Sequence, residues 1–186
     1  MRRGDADAWS RLRLANEAWL RPWEPTAPVA WSVRHTPAAY RAMRRSLTRR
    51  ARAGTSLPFA VRVEGRLAGQ VTVDNVVRGA LRSGSLGYWI DRSVAGRGLA
   101  SLAVALVCDH AFGPGGLHRL QADIRPENGP SRRLVERLGF RREGLLRRYL
   151  DIDGDWRDHV SYALLAEDVP RGVLAVWRAG APDLPR

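Results

Sequence analysis

Between Val94 and Phe112 the chain reads VAGRGLASLAVALVCDHAF: two glycines around one arginine, then a dense run of helix formers. Gly96 and Gly98 carry no Cβ, so backbone N–H groups there can come close to an oxygen-rich ligand. The helix opened by Ala100 adds unpaired N–H groups and a partial positive charge, and Arg97 adds a full one. Such a mouth suits a pyrophosphate. Ser101 stands where a dinucleotide fingerprint needs its third glycine, and no Gly-Lys-Ser/Thr ending of a phosphate loop is present. The same residues also make an ordinary strand-to-helix turn, so the loop by itself does not identify a ligand.

A second cluster opens another helix, NGPSRRLVERLGF. Asn128 is placed to cap it, Ser131 falls in its first turn, and Leu134, Val135 and Leu138 form its apolar face before Gly139 stops it. His110 and His118 flank a helix end and a strand start, where packing roles are expected. No group of His, Cys and Asp has metal-ligand spacing, so no metal is expected.

These residues need a frame. A helix is expected over about Asp7–Arg21, with Ala8, Leu12, Ala15 and Trp19 on one face, ended by Pro22 and Pro25. Thr36 and Pro37 start a second helix that stops before Gly54, with Arg41, Arg44, Arg45, Arg49 and Arg50 on its exposed face. The period then changes. Pro58–Val77 reads as two strands joined near Glu64-Gly65, and Ser85–Asp91 as a third. After the glycine loop and its helix come a strand over His118–Pro126, the helix capped by Asn128, and a long hairpin turning at Asp153-Gly154-Asp155. A mixed α/β sheet with helices on both faces follows from this order. A short helix over about Arg171–Arg178 and a fraying end make up a C-terminal tail, residues 170–186, behind a single domain over 1–169.

The chain has 186 residues, of which 45% are hydrophobic, enough for one core and no sign of disorder. No apolar run reaches the roughly 18–20 residues of a membrane span, and no signal peptide is seen, so a cytoplasmic protein is expected. The single cysteine, Cys108, is expected to be a buried structural thiol. The formal net charge of +12 attracts polyanions such as RNA, ribosomes and phosphorylated cofactors. The arginines that carry it are spread along the chain, so attraction of an acidic ligand follows more securely than polynucleotide binding.

The ordered set GYWI, the glycine loop, RPEN with the following S, L, E and LGF, then EGLLR and GDWRDH, resembles the Gcn5-related N-acetyltransferases, the GNAT superfamily. Within it the chain is similar to the RimJ/RimL branch, which acetylates the N-terminal amines of ribosomal proteins. The resemblance runs from the first helix to about Val169. It implies a mostly antiparallel sheet in which two neighbouring parallel strands, Gly87–Asp91 and Arg119–Ile124, splay apart. It also implies acetyl-CoA as cosubstrate, its pyrophosphate on Ala95, Gly96, Arg97, Gly98, Leu99 and Ala100. Main-chain groups of Trp89, Ile90 and Asp91 then meet the acetyl-bearing end. Ala95 stands where the family usually has Gln or Arg, and Met1-Arg2-Arg3 leaves no room for the strand that normally precedes the first helix. Either the strand is absent or the true start lies upstream, and real absence implies an exposed sheet edge.

Transfer to an amine needs the neutral amine, a polarised thioester carbonyl and a proton for the departing thiolate. The resemblance puts Asn128 against the pantetheine arm and Ser131 near the thioester sulfur, as proton donor or hydrogen-bond partner of the thiolate. Asp74, Glu127, Asp151, Asp153 and Asp158 are candidate bases by type, with Asp74 favoured. An α-amine, with a pKa of about 8 against about 10.4 for lysine, needs little help. Tyr88 is expected in the core or cleft wall, and His159 to shape the acceptor cleft or closing hairpin. The expected acceptor is the N-terminal alanine of a ribosomal protein, presented near RNA by the basic surface. A small amine such as an antibiotic or polyamine, or a non-catalytic acyl-CoA- or RNA-binding role, are the alternatives.

Overall fold

The switch from helical to alternating patterning at Leu57 is where the sheet begins in the computed structural model, which describes residues 1–180. Before it lie a 3₁₀ turn at Arg3–Asp5 and four helices: α1 (Ala6–Ala15), α2 (Glu17–Leu20), α3 (Trp31–Arg34) and α4 (Pro37–Arg52). The sheet is built from β1 (Leu57–Val63), β2 (Arg66–Val77), β3 (Ser83–Ile90), β4 (Arg119–Ile124), β5 (Arg141–Ile152) and β6 (Asp155–Leu165). Helices α5 (Leu99–Phe112) and α6 (Gly129–Arg137) cross between strands, and α7 (Val173–Gly180) follows the last.

The first helix differs from its expected form. It is broken at Asn16, whose side-chain amide donates to the Leu12 carbonyl and to Asp91 Oδ1, both at 2.9 Å. Its oxygen accepts the Arg92 N–H at 2.9 Å. A side chain that offers the backbone such alternatives interrupts a helix, and here it ties the helical layer to the end of β3. The second helix forms as expected, with Thr36 capping the Ala39 N–H at 3.1 Å.

The strand order is β1-β2-β3-β4-β6-β5, and only β3 and β4 are parallel. The β1–β2 and β5–β6 hairpins turn on residue pairs with positive φ, Glu64-Gly65 and Asp153-Gly154, which matches the right-handed twist of the flanking strands. Among the described residues no strand precedes α1, and β1 forms one edge of the sheet with β5 at the other. The tail helix is present as α7, while the end expected to fray lies outside the described residues.

Alternation gives the two faces of the sheet opposite characters. Val71, Val73, Leu86, Leu120, Ala122, Ile124, Val160, Tyr162 and Leu164 point into the main core beneath α5, α6 and α7. Their neighbours Gln70, Thr72, Asp74, Ser85, Gly87 and Trp89 share the other face, with Gln70 opposite Trp89, Thr72 opposite Gly87 and Asp74 opposite Ser85. On that polar face a smaller cluster of Ala6, Trp9, Tyr40 and Leu67 fastens α1 and α4 over one end only. The rest of the face is left as the floor of a cleft.

Candidate active site

The β3–β4 ladder runs only from Ser83 and Arg119 to Ser85 and Gln121. Beyond it β3 stays paired with β2 as far as Ile90, and β4 with β6 as far as Ile124, so the parallel strands part while each keeps its outer partner. Two cavities meet at the opening. One, of about 410 Å³, runs from the splay to the start of α5 between β3 and α6. The other, of about 540 Å³, lies over the polar face of the sheet. Trp23, Glu24, Tyr88, Trp89, Asn128 and Ser131 line both, which makes this the point where material from the two sides can meet.

At the far end of the first cavity Ala95, Gly96, Gly98 and Ala100 line the wall. Gly96 and Gly98 have φ of 77° and 73°, and a Cβ on either would touch nothing within 4 Å. The left-handed backbone, not crowding by protein, therefore calls for glycine here. Gly98 caps α5, whose first-turn N–H groups of Leu99, Ala100 and Ser101 have no partner within the helix. Arg133 and Arg137 border the same cavity from α6. Neutral backbone donors, a helix N-terminus and exposed guanidinium groups fit a phosphorylated cosubstrate.

The other expected cosubstrate contacts are placed unevenly. Trp89 and Ile90 line the cavity, but the Ile90 carbonyl already accepts Trp19 Nε1–H at 3.2 Å. Asp91, Arg97 and Leu99 lie beside the lining. The Asp91 N–H goes to the Ala68 carbonyl at 2.7 Å. Burial works against its charged carboxylate, but donors from Ser93 and Asn16 outweigh it and hold that carboxyl below its usual range. Asp91 is thus a clasp between β3, its following turn and Asn16.

At the meeting point the Tyr88 hydroxyl and Ser131 Oγ are 2.6 Å apart. Ser131 is held in the first turn of α6, where Asn128 Oδ1 accepts its N–H at 3.2 Å, so Asn128 is both cap and cavity wall. Desolvation pushes the Tyr88 hydroxyl above the usual tyrosine range, the Ser131 contact opposing it only in part. Tyr88 therefore keeps its proton. When it donates to Ser131 Oγ, the serine's own hydrogen is free to point into the cleft. The sequence reading left Tyr88 to wall or core. Its alternation with Trp89 is visible in GYWI, but its partner is not.

Asp74 lines the acceptor-side cavity and faces Arg50, with Oδ1 3.1 Å from Nη1 and Oδ2 3.2 Å from Nη2. Directly after it β2 shifts register before Val77, with Asn75 at φ 51°, a bulge beside the site. Glu127, Asp151, Asp153 and Asp158 line neither cavity. They bind Arg125, Thr26, Arg21 and the Arg148 N–H respectively. His159 is buried in the acceptor-side wall and packs edge-on to Tyr149. His110 packs against Phe59, and His118 pairs with Glu167. Cys108 is fully buried and its thiol is pushed up by desolvation.

Glu24 escaped the sequence reading. It stands on the wall of both cavities, held by Arg13 at 2.7 Å and Arg34 at 3.2 Å. The prolines around it signalled only a stiff connection. Among the described residues no cluster of three or more His, Cys, Asp or Glu is placed to hold a metal ion, and no helix is long and apolar enough to cross a membrane.

Residues 1–141 match the family model described as an acetyltransferase (GNAT) domain. The ribosomal protein uS5-alanine N-acetyltransferase of Escherichia coli (strain K12) is 34% identical over 171 residues, covering 88% of this chain and 85% of that protein. The probable N-acetyltransferase YjcK of Bacillus subtilis is 40% identical over 105 residues, 56% of this chain and 58% of its own. Among solved structures, Mycobacterium smegmatis RimJ in complex with CoA-disulfide superposes with a TM-score of 0.94 at 45% identity, covering 96% of this chain and 86% of that one.

Proposed function

The chain belongs to the GNAT acetyltransferase family and is an N-acetyltransferase, and from that premise we propose that it moves acetyl from acetyl-CoA to the α-amine of a ribosomal protein's N-terminal alanine in the cytoplasm. The observation that carries this reading is the meeting of the two cavities at Tyr88, Asn128 and Ser131. A donor enters from the glycine loop and an acceptor from the polar face, and each reaches the same hydroxyl pair. The RimJ neighbour with bound CoA-disulfide and the uS5-alanine relative support the choice of donor and acceptor.

Acetyl-CoA supplies an activated acetyl group on a sulfur leaving group. The amides of Gly96–Ser101 and the positive end of α5 hold its pyrophosphate, aided by Arg97, Arg133 and Arg137 from the rim. The neutral amine attacks the thioester carbonyl; as the C–N bond forms and the C–S bond breaks, Ser131, oriented by Tyr88, gives its proton to the sulfur and regains one from the proton the amine sheds, so the products are the amide and CoA thiol. Asn128 fixes Ser131 through its backbone. Asp74, paired with Arg50 on the wall of the acceptor-side cavity, holds the incoming amine. An α-amine needs little more, since a useful fraction is already neutral near pH 7.

The cavity's acids are engaged. Glu24 is paired with Arg13 and Arg34, Asp74 with Arg50, and Asp123 accepts from Gln121. That is a poor trap for a polycation, which counts against aminoglycosides and polyamines. The test is to incubate the protein with acetyl-CoA and follow thiol release and product mass on two acceptor panels. Acetylation at the α-amine is expected for peptides beginning with Ala from ribosomal proteins, and not for small amines. Turnover of small amines alone would replace the acceptor class, and CoA binding without turnover on either panel or on ribosomes would indicate a binding module.

A further inference from the structure

Beside the acceptor cavity, on the same polar face, lies a third cavity of about 450 Å³. The two share Glu24, Pro25, Gln70 and Trp89, so they are continuous. The side cavity is walled by Trp9, Arg13, Arg34 and His35, which come from α1, α3 and the turn after it.

Two buried donors here have no partner among the described residues. Trp9 and Arg13 are 5% and 3% exposed, yet Trp9 Nε1 and Arg13 Nε have no acceptor among the described residues. Leaving two such donors unpaired costs free energy unless something else meets them. The charges are also unbalanced: Arg13 and Arg34 share the single carboxylate of Glu24, leaving one positive charge. His35 adds no charge of either sign, since burial and the nearby Arg13 lower it to about 4 and keep the ring neutral. Its Nδ1 lies 2.8 Å from the Trp31 carbonyl. The Arg13 guanidinium is fixed over the rings of Trp31 and Trp89, at 5.0 and 5.1 Å, so it is a rigid donor already organised for a ligand.

We propose that this side cavity is a second acceptor subsite, taking a carboxylate side chain from the first few residues of the acceptor polypeptide. The carboxylate meets the surplus charge of the Arg13–Arg34 pair. A lysine or arginine at the same place meets two fixed guanidinium groups and is rejected. The inference rests on the acceptor assignment above, and it makes the enzyme a reader of the residues behind the acetylated amine.

The test uses heptapeptides beginning with Ala that carry Glu, Gln or Lys at position 2, 3 or 4. Both acetylation kinetics and direct binding by titration calorimetry are measured, on wild type, Arg34→Gln and Arg34→Lys. At one of the positions Glu is expected to exceed Gln by about tenfold in kcat/KM through KM, as for one charge-assisted contact, and Lys to fall below Gln. Arg34→Gln should bring the Glu:Gln ratio near one and Arg34→Lys restore part of it. Turnover of all three peptides at equal kcat/KM, or a Glu preference unchanged in Arg34→Gln, overturns the subsite and leaves the acceptor assignment standing. Tight, Arg34-dependent binding of Glu peptides without turnover supports the subsite and removes the acceptor assignment. Neither binding nor turnover of any peptide overturns both.

Discussion

The hydroxyl of Tyr88 and Oγ of Ser131 lie 2.6 Å apart, although 43 residues separate them in the chain. One stands on the strand that parts from its parallel neighbour, the other in the first turn of the helix capped by Asn128. Their pairing makes the serine more than a first-turn residue, because a tyrosine held protonated by burial orients its proton.

That pair predicts linked defects. Ser131→Ala and Tyr88→Phe are each expected to lower kcat by on the order of 10² while leaving acetyl-CoA affinity within a few fold. The double variant should be little worse than Ser131→Ala, since both act through one proton. Steady-state kinetics with calorimetric binding checks this, and multiplicative losses would show that the two act separately.

Gly98 separates strain from ligand contact. A side chain there meets no protein atom, so the structural cost is that of left-handed backbone, about 1–2 kcal/mol for most residues. Asn tolerates this φ better than Val. Gly98→Asn should fold with a Tm close to wild type and Gly98→Val with a lower one, and both should bind acetyl-CoA at least about tenfold more weakly. Normal binding by a folded Gly98→Val would mean that the pyrophosphate does not lie on this loop.

Asp74 is paired with Arg50 on the acceptor-side wall, so Asp74→Asn should raise the acceptor KM several fold with a smaller change in kcat. Steady-state kinetics over a range of acceptor concentrations distinguishes the roles. A loss confined to kcat, with the acceptor KM unchanged, would instead mark Asp74 as acting in the chemical step and not in holding the amine.

His35 predicts a pH-dependent stability with a defined sign. Its pKa is about 4 in the folded protein against 6.5 unfolded, because burial and Arg13 oppose its charge. Below pH 6.5 the unfolded chain therefore binds the proton more readily, and stability falls as the pH drops toward 4. The loss is on the order of 3 kcal/mol. Denaturant unfolding of His35→Gln should lack this component, and parallel pH curves for the two proteins would exclude it.

Asp109, on α5, caps another helix: its Oδ1 accepts the Val173 N–H at 2.6 Å and Oδ2 the Leu174 N–H at 3.1 Å. Asp109→Ala is expected to cost about 1–2 kcal/mol and to speed amide exchange across Val173–Gly180 ahead of the sheet. Exchange unchanged there would show that packing of Val173 and Trp177 alone holds α7.

The sequence by itself determined whatever is local. Alternation in β2 and β3 separates Val71 and Val73 from Gln70, Thr72 and Asp74, and so marks the core and polar faces. Gly96 and Gly98 before a helix announced a turn of bare backbone, which the structure makes left-handed, and Asn128 three residues before Ser131 announced a cap. Tertiary structure decided what depends on distant segments meeting. Asn16 reads as one more residue of a continuous helix until Asp91 and Arg92 are placed against it. Asp74 reads as a free carboxylate until α4 brings Arg50 to it, and Glu24 as loop until Arg13 and Arg34 converge on it. Tyr88 gains its role only because β3 and β4 part beneath α6. Periodicity and capping act within a few residues of chain, whereas hydrogen bonds, ion pairs and desolvation depend on distance in space, which only the folded chain sets.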